Sequence, residues 1–149
     1  MVDLMAQYQK IKPEVDKAIL NVIENAQFVN GPEVKGFQNE LEDYLGVKHV
    51  IPCANGTDAL QIAMMALGLK PGDEVITPSF TFIATTEVVA LLGLKPVFVD
   101  VEEDSFCLDP SKLEAAITEK TKAIVPVHLY GQAANLDEIM AIAEKHNIA

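Results

Sequence analysis

The feature that most constrains this chain is a recurring order of short, β-branched apolar runs, each followed by a helical pattern. "HVIPC" leads to "TDALQIAMMALG", "PGDEVITP" to "IATTEVVALLG", "KPVFVDV" to the short "DPSKLEAAI", and "TKAIVPVHL" to "NLDEIMAIAEKH". Strands that alternate with helices and lack hairpin turns need crossover connections, and crossovers make parallel sheets. Runs that are apolar throughout, rather than alternating, belong to strands covered on both faces. The expected fold is therefore α/β, with a mainly parallel sheet, helices on both faces, and all four runs in one sheet. Gly68 and Gly93 stop two of the helices, while Asp109 as N-cap and Pro110 at the first helical position start another. Upstream, Leu4 to Ala26 reads as a helix with Pro13 near the start of its better-patterned part, and a second helix runs from Pro32 to Gly46. No repeat, low-complexity tract or linker interrupts residues 1–149, which read as one domain. The ending "KHNIA" follows a helix, so the pattern predicts a further strand after Ala149 and a chain that is one stretch of a longer array.

Charge narrows the function classes. The net charge is −11 with no basic cluster, which argues against nucleic acid and anionic membrane as partners. No apolar stretch approaches the ~20 residues of a membrane span, and "MVDLMAQYQK" lacks the basic-then-apolar order of a signal peptide. Cys53 and Cys107 have no metal-ligand spacing and form no disulfide framework, which fits a cytoplasmic protein. Cys53 reads as a small buried hydrophobe, with a nucleophile as the alternative. All 11 positive side chains are lysines, so an anionic ligand must be held by backbone donors, hydroxyls or lysines rather than by guanidinium forks.

"CANGTDALQIAM" puts Asn55-Gly56-Thr57 where an apolar run becomes a helix. In open parallel sheets ligands sit beyond the carboxyl ends of the strands, where helices begin. Gly56 permits close backbone approach, Thr57 adds a hydroxyl, and the helix start presents unpaired N–H groups to an anion such as phosphate. Two readings stay open: an anion site, or a tight turn in which Asn55 or Thr57 merely caps the helix and Asp58 favours its dipole. No GxGxxG or P-loop occurs. At the next strand end, "TPSFTFIATTE" brings hydroxyls together with Phe80 and Phe82, either of which can stack on a planar ring or pack between sheet and helix. "HLYGQ" brings His128 and Tyr130 to the same rim, and a lone histidine there reads first as a structural hydrogen-bonder.

"FVNGPEV", "ANGTDALQIAMMALGLKPGDEVITPSFTFIATTE", "LGLKPVFVDV" and "TKAIVPVHLYGQ", in this order, resemble the N-terminal part of the DegT/DnrJ/StrS family of pyridoxal-phosphate-dependent sugar aminotransferases. The resemblance covers nearly the whole chain. It implies part of the large, cofactor-binding domain of a fold-type-I PLP transferase, with pyridoxal 5'-phosphate as cofactor. By this resemblance Gly56 and Thr57 hold the cofactor phosphate and Phe82 stacks on the pyridine ring. It further implies glutamate as amino donor, a keto-sugar nucleotide as acceptor, and a homodimer with shared active sites. The Schiff-base lysine and the acid that pairs with the pyridine nitrogen lie beyond the stretch matched, so no catalytic residue and no metal ligand is assigned here.

None of the lysines substitutes on this reading. Lys48, Lys70, Lys95 and Lys122 precede strands, and a five-residue strand separates the two rims of a sheet by ~16 Å. Lys10, Lys12, Lys17, Lys35, Lys112, Lys120 and Lys145 read as solvent-facing helix residues. The isolated chain is therefore expected to be inactive. Two other readings are a non-catalytic regulatory or assembly module that retains the fold, and a nucleotide-binding α/β domain.

Overall fold

The computed structural model describes residues 2–149, which form two compact units divided between Pro52 and Cys53.

The first unit holds helices α1 (Leu4–Asn25) and α2 (Pro32–Leu45). Asp3 caps α1 by accepting the Ala6 N–H at 2.9 Å. Pro13 lies inside α1, which starts at Leu4 as the sequence pattern predicts. Side chains one turn apart span the backbone bond that proline removes. Lys12 donates to the Tyr8 hydroxyl at 2.9 Å and pairs with Asp16, and that hydroxyl donates to Asp16 at 2.6 Å. Between the helices only glycine fits at position 31, where a Cβ would stand 2.5 Å from the Gln27 carbonyl oxygen.

"HVIPC", expected as the first strand, is not one. The Val50 N–H donates to Glu42 Oε1 at 3.0 Å, and its carbonyl accepts from Gln38 Nε2 at 2.6 Å. Composition makes a segment extended, but a strand also needs a neighbour, and here α2 side chains take the backbone groups a ladder would use.

The second unit runs α3 (Gly56–Ala66), β1 (Glu74–Pro78), α4 (Ala84–Leu91), β2 (Lys95–Val99), α5 (Pro110–Ala116), β3 (Thr121–Ile124), a 3-10 turn (Leu129–Gly131) and α6 (Leu136–His146). The sheet has three strands in the order β2-β1-β3, all parallel. Glu74 to Pro78 pair in register with Lys95 to Val99, whereas a shift between Glu74 and Val75 offsets β3. β3 ends at Ile124, short of its apolar run, with the Val125 N–H still donating to the Ile76 carbonyl at 2.8 Å. Beyond β2 the chain makes one antiparallel bridge, Val101 to Leu108, a local reversal the strand–helix pattern did not predict. The other edge of β3 meets Ala149, whose N–H donates to Lys122 O at 3.1 Å and whose carbonyl accepts from Ile124 N at 2.8 Å.

Central β1 is buried along its whole length, and its side chains alternate between two cores. Val75 and Ala123 join Met64, Val88 and Val89 of α3 and α4 on one face. Ile76, Val99 and Ile124 join Leu113, Ile139 and Ala143 of α5 and α6 on the other. Helices thus cover both faces, as the uninterrupted apolar runs require. Among the described residues, no helix is long and apolar enough to cross a membrane.

Candidate functional site

Parallel strands put the ends at Pro78, Val99 and Ile124 on one carboxyl rim. At the opposite rim the turns entering β1 and β2 are joined, since the Gly72 N–H donates to the Gly93 carbonyl at 3.0 Å. Both glycines have positive φ, +93° and +70°, a backbone that side chains resist. The turns that follow α3 and α4 are therefore joined at the amino rim, and the 11 residues of α3 span ~16 Å, about the length of a five-residue strand.

Asn55 is the N-cap of α3. Its Oδ1 accepts the Asp58 N–H at 3.0 Å, its Nδ2 donates to Asp58 Oδ2 at 3.1 Å, and its carbonyl accepts the Ala59 N–H at 3.1 Å. The Gly56 and Thr57 N–H groups make no hydrogen bond to any described residue, and neither does the Thr57 hydroxyl. Gly56 has no positive φ, and a Cβ built on it meets nothing within 4 Å. The fold itself does not require glycine there. Two free N–H groups, a hydroxyl and an uncrowded backbone at a helix start form a donor set for a phosphate dianion, with no arginine needed. Capping and anion binding are thus compatible, because Asn55 satisfies the third helical N–H and leaves the first two free.

The aromatic residues divide. Phe80, 51% exposed, leans on Phe106 with centroids 5.8 Å apart and planes at 50°. Phe82 is 76% exposed and has no aromatic partner among the described residues. Neither is packed between sheet and helix. A cavity of about 320 Å³ at this rim is lined by Phe80, Thr81, Phe82, Leu129 and Tyr130. It joins the segment after β1 to the segment after β3, and neither Gly56 nor Thr57 lines it.

His128 is a structural hydrogen-bonder: its Nδ1 accepts the Ala134 N–H at 3.1 Å, which leaves the ring proton on Nε2. Cys53 is exposed rather than buried, with its thiol donating to the Asn55 carbonyl at 3.4 Å. Cys107 is the buried cysteine. No group of three or more His, Cys, Asp or Glu side chains among the described residues is arranged to hold a metal ion.

Lys95 stands at the amino rim, where it pairs with Glu74 at 2.8 Å, and Lys122 donates to the Glu119 carbonyl at 2.8 Å. Lys112 is an exposed residue of α5, as read from the sequence, and it also pairs with two carboxylates, its ammonium 3.3 Å from Asp100 Oδ2 and 3.2 Å from Asp109 Oδ2. Asp109 first and Asp100 second hold its pKa above the ordinary lysine value. Asp100 is kept below the usual carboxylate range by the Val101 N–H and then by Lys112. A protonated, doubly paired amine is a poor nucleophile. The signal for its position lay in Asp109: a cap three residues before a lysine, just after a strand end, directs that lysine back to the rim.

Residues 9–149 match the DegT/DnrJ/EryC1/StrS aminotransferase family. The chain is 56% identical over 147 residues to UDP-2-acetamido-2-deoxy-3-oxo-D-glucuronate aminotransferase of Pseudomonas aeruginosa, covering 99% of this chain and 41% of that protein. Among solved structures, a DegT DnrJ EryC1 StrS aminotransferase from Brucella abortus superposes with a TM-score of 0.94 at 49% identity, over 99% of this chain and 41% of that one. NtdA from Bacillus subtilis, with bound cofactor PMP, superposes with a TM-score of 0.89 at 40% identity, over 93% and 32% of the two chains. The chain spans about two fifths of the length of the curated relatives it matches.

Proposed function

The chain belongs to the DegT/DnrJ/EryC1/StrS aminotransferase family, and from that premise we propose that it is the N-terminal part of the cofactor domain of a pyridoxal-phosphate-dependent sugar aminotransferase. The whole enzyme moves an amino group from glutamate to a keto-sugar nucleotide, works in the cytoplasm and is a homodimer. The observation that carries this reading is the pair of N–H groups at Gly56 and Thr57 with no partner among the described residues, beside a glycine whose added Cβ would meet open space.

Pyridoxal phosphate, when bound, supplies the electron sink that amino transfer needs. This chain contributes binding and orientation. The Gly56 and Thr57 N–H groups and the Thr57 hydroxyl would hold the phosphate, and the exposed Phe82 ring would offer a stacking face to the pyridine. It does not contribute the amine that captures the cofactor. Lys95 is committed to Glu74, and Lys112 to Asp100 and Asp109. With no arginine in the sequence, forked recognition of the donor carboxylates and the diphosphate must also come from outside this stretch. The isolated chain is therefore a cofactor-phosphate module without aminotransferase activity.

The test is a titration of the chain with pyridoxamine phosphate, which has no aldehyde to label lysines, followed by amide NMR. Saturable shifts centred on Gly56 and Thr57 are expected, and they should weaken in Thr57→Ala. Shifts elsewhere with Gly56 and Thr57 silent would refute the assignment.

A further inference from the structure

We propose that a second cavity on the carboxyl rim, lined by Asp104, Ser105, Phe106, Leu129, Tyr130 and Gln132, takes the nucleobase of the substrate. This inference rests on the reading of the substrate as a keto-sugar nucleotide.

Backbone conformation supplies the first reason. Phe106 and Tyr130 both have positive φ, +55° and +52°, a left-handed backbone that large side chains adopt at a cost and glycine adopts freely. Burial does not offset that cost, since Phe106 is exposed and Tyr130 is 96% exposed. Aromatic residues held in strained conformations outside any core point to a use beyond stability.

Position supplies the second. The cavity, about 430 Å³, shares Leu129 and Tyr130 with the cavity beside Phe80 and Phe82. Phe80 in turn supports the Phe106 ring at 5.8 Å. A continuous aromatic track therefore runs from the proposed cofactor ring position at Phe82, past Tyr130, to Phe106. A substrate whose sugar reacts at the cofactor has its far end at the other end of that track.

Charge identifies which part of the substrate lies there. Glu102, Glu103 and Asp104 are consecutive carboxylates at this end, and no arginine exists to offset them. They disfavour a diphosphate, so a neutral planar base fits against the aromatic rings while the phosphates stay back along the track. Ser105 is engaged within its loop, donating to Glu102 Oε2 at 2.6 Å and accepting the Cys107 N–H at 3.1 Å. Asp104 and the Gln132 side-chain oxygen, Oε1, remain to accept hydrogen bonds from base or ribose. Stacking of this kind tolerates different bases.

The experiment titrates the chain with uridine diphosphate, recording saturation transfer to the uracil protons and amide shifts around positions 104–106 and 130–132. Tyr130→Gly and Phe106→Ala are then compared with the parent. Tyr130→Gly should unfold at no lower temperature, because it removes an exposed side chain from a left-handed backbone. It should nonetheless weaken uridine diphosphate binding about tenfold, the scale of one lost stacking contact. Shifts at Gly56 and Thr57 with pyridoxamine phosphate should persist in both variants, whereas a parent that shows none of them would refute the cofactor reading, an outcome distinct from loss of uridine diphosphate binding. Uridine diphosphate affinity unchanged in both variants, or a Tyr130→Gly protein of lower stability, would overturn the proposal.

Discussion

Asn55 Oδ1 accepts the Asp58 N–H at 3.0 Å, so the cap of α3 uses the third N–H of the helix. The N–H groups of Gly56 and Thr57 have no hydrogen-bond partner among the described residues. The cap and the proposed phosphate site thus draw on different donors of one turn, so substitutions can separate them.

The first prediction concerns that separation. Gly56→Ala should leave stability unchanged or raise it by up to about 1 kcal/mol, since alanine is the better helix former and its Cβ meets open space. The same substitution should weaken cofactor binding, because the methyl stands where the phosphate approaches. Thr57→Ala should weaken it by ~1–2 kcal/mol, the scale of one charge-assisted hydrogen bond. Asn55→Ala should instead cost ~1 kcal/mol of stability. Thermal unfolding and pyridoxamine phosphate titrations of the three variants check the pattern.

A second prediction follows from the amino rim. The Glu74 side chain is only 5% exposed, pairs with Lys95 at 2.8 Å and accepts the Thr118 hydroxyl at 2.5 Å. Lys95 first, then Thr118, holds its carboxyl below the usual range. A depressed carboxylate stabilises the fold fully above its unfolded pKa of about 4.3, and that stabilisation fades as pH falls through the lower, folded value. Glu74→Gln should therefore flatten the acid limb of the stability profile below about pH 4, as well as lowering stability near neutrality. A parent and variant with parallel acid limbs would exclude Glu74 as the titrating group.

These elements also mark what the residues disclosed in advance. β1, β2, the helix capped by Asp109 and the helices stopped by Gly68 and Gly93 were legible because their signals are local: β-branched runs, a cap side chain, a terminal glycine. "HVIPC" was not, because strand formation depends on a neighbour and its backbone is held by Gln38 and Glu42 instead. At Asn55-Gly56-Thr57 the residues alone left a cap and an anion site open, as they left Phe80 and Phe82 open for stacking, and only the family resemblance assigned Gly56, Thr57 and Phe82 their roles. The rim position of Lys112 and the left-handed backbones of Phe106 and Tyr130 depend on loop geometry that no periodicity encodes.

A third prediction concerns association. Neither α1 nor α2 has a buried residue, while Leu4, Met5, Ile19, Leu20 and Ile23 of α1 are all exposed. An amphipathic helix with its apolar side uncovered favours self-association. Sedimentation at tens of micromolar should show dimers or larger species, and Leu20→Glu with Ile23→Glu should reduce them. A well-behaved monomer for the parent chain would contradict this.

The central claim is that this chain holds the phosphate of pyridoxal phosphate without capturing its aldehyde on a lysine of its own. Its most direct measurement mixes the chain with pyridoxal phosphate, follows the phosphorus resonance, fixes any attached cofactor with borohydride, and maps it by mass spectrometry. Glutamate and a keto-sugar nucleotide are then added to assay turnover. The account predicts a saturable phosphorus shift that Thr57→Ala weakens, slow labelling spread over several exposed lysines, and no turnover. Stoichiometric fixation on one lysine together with turnover would contradict it.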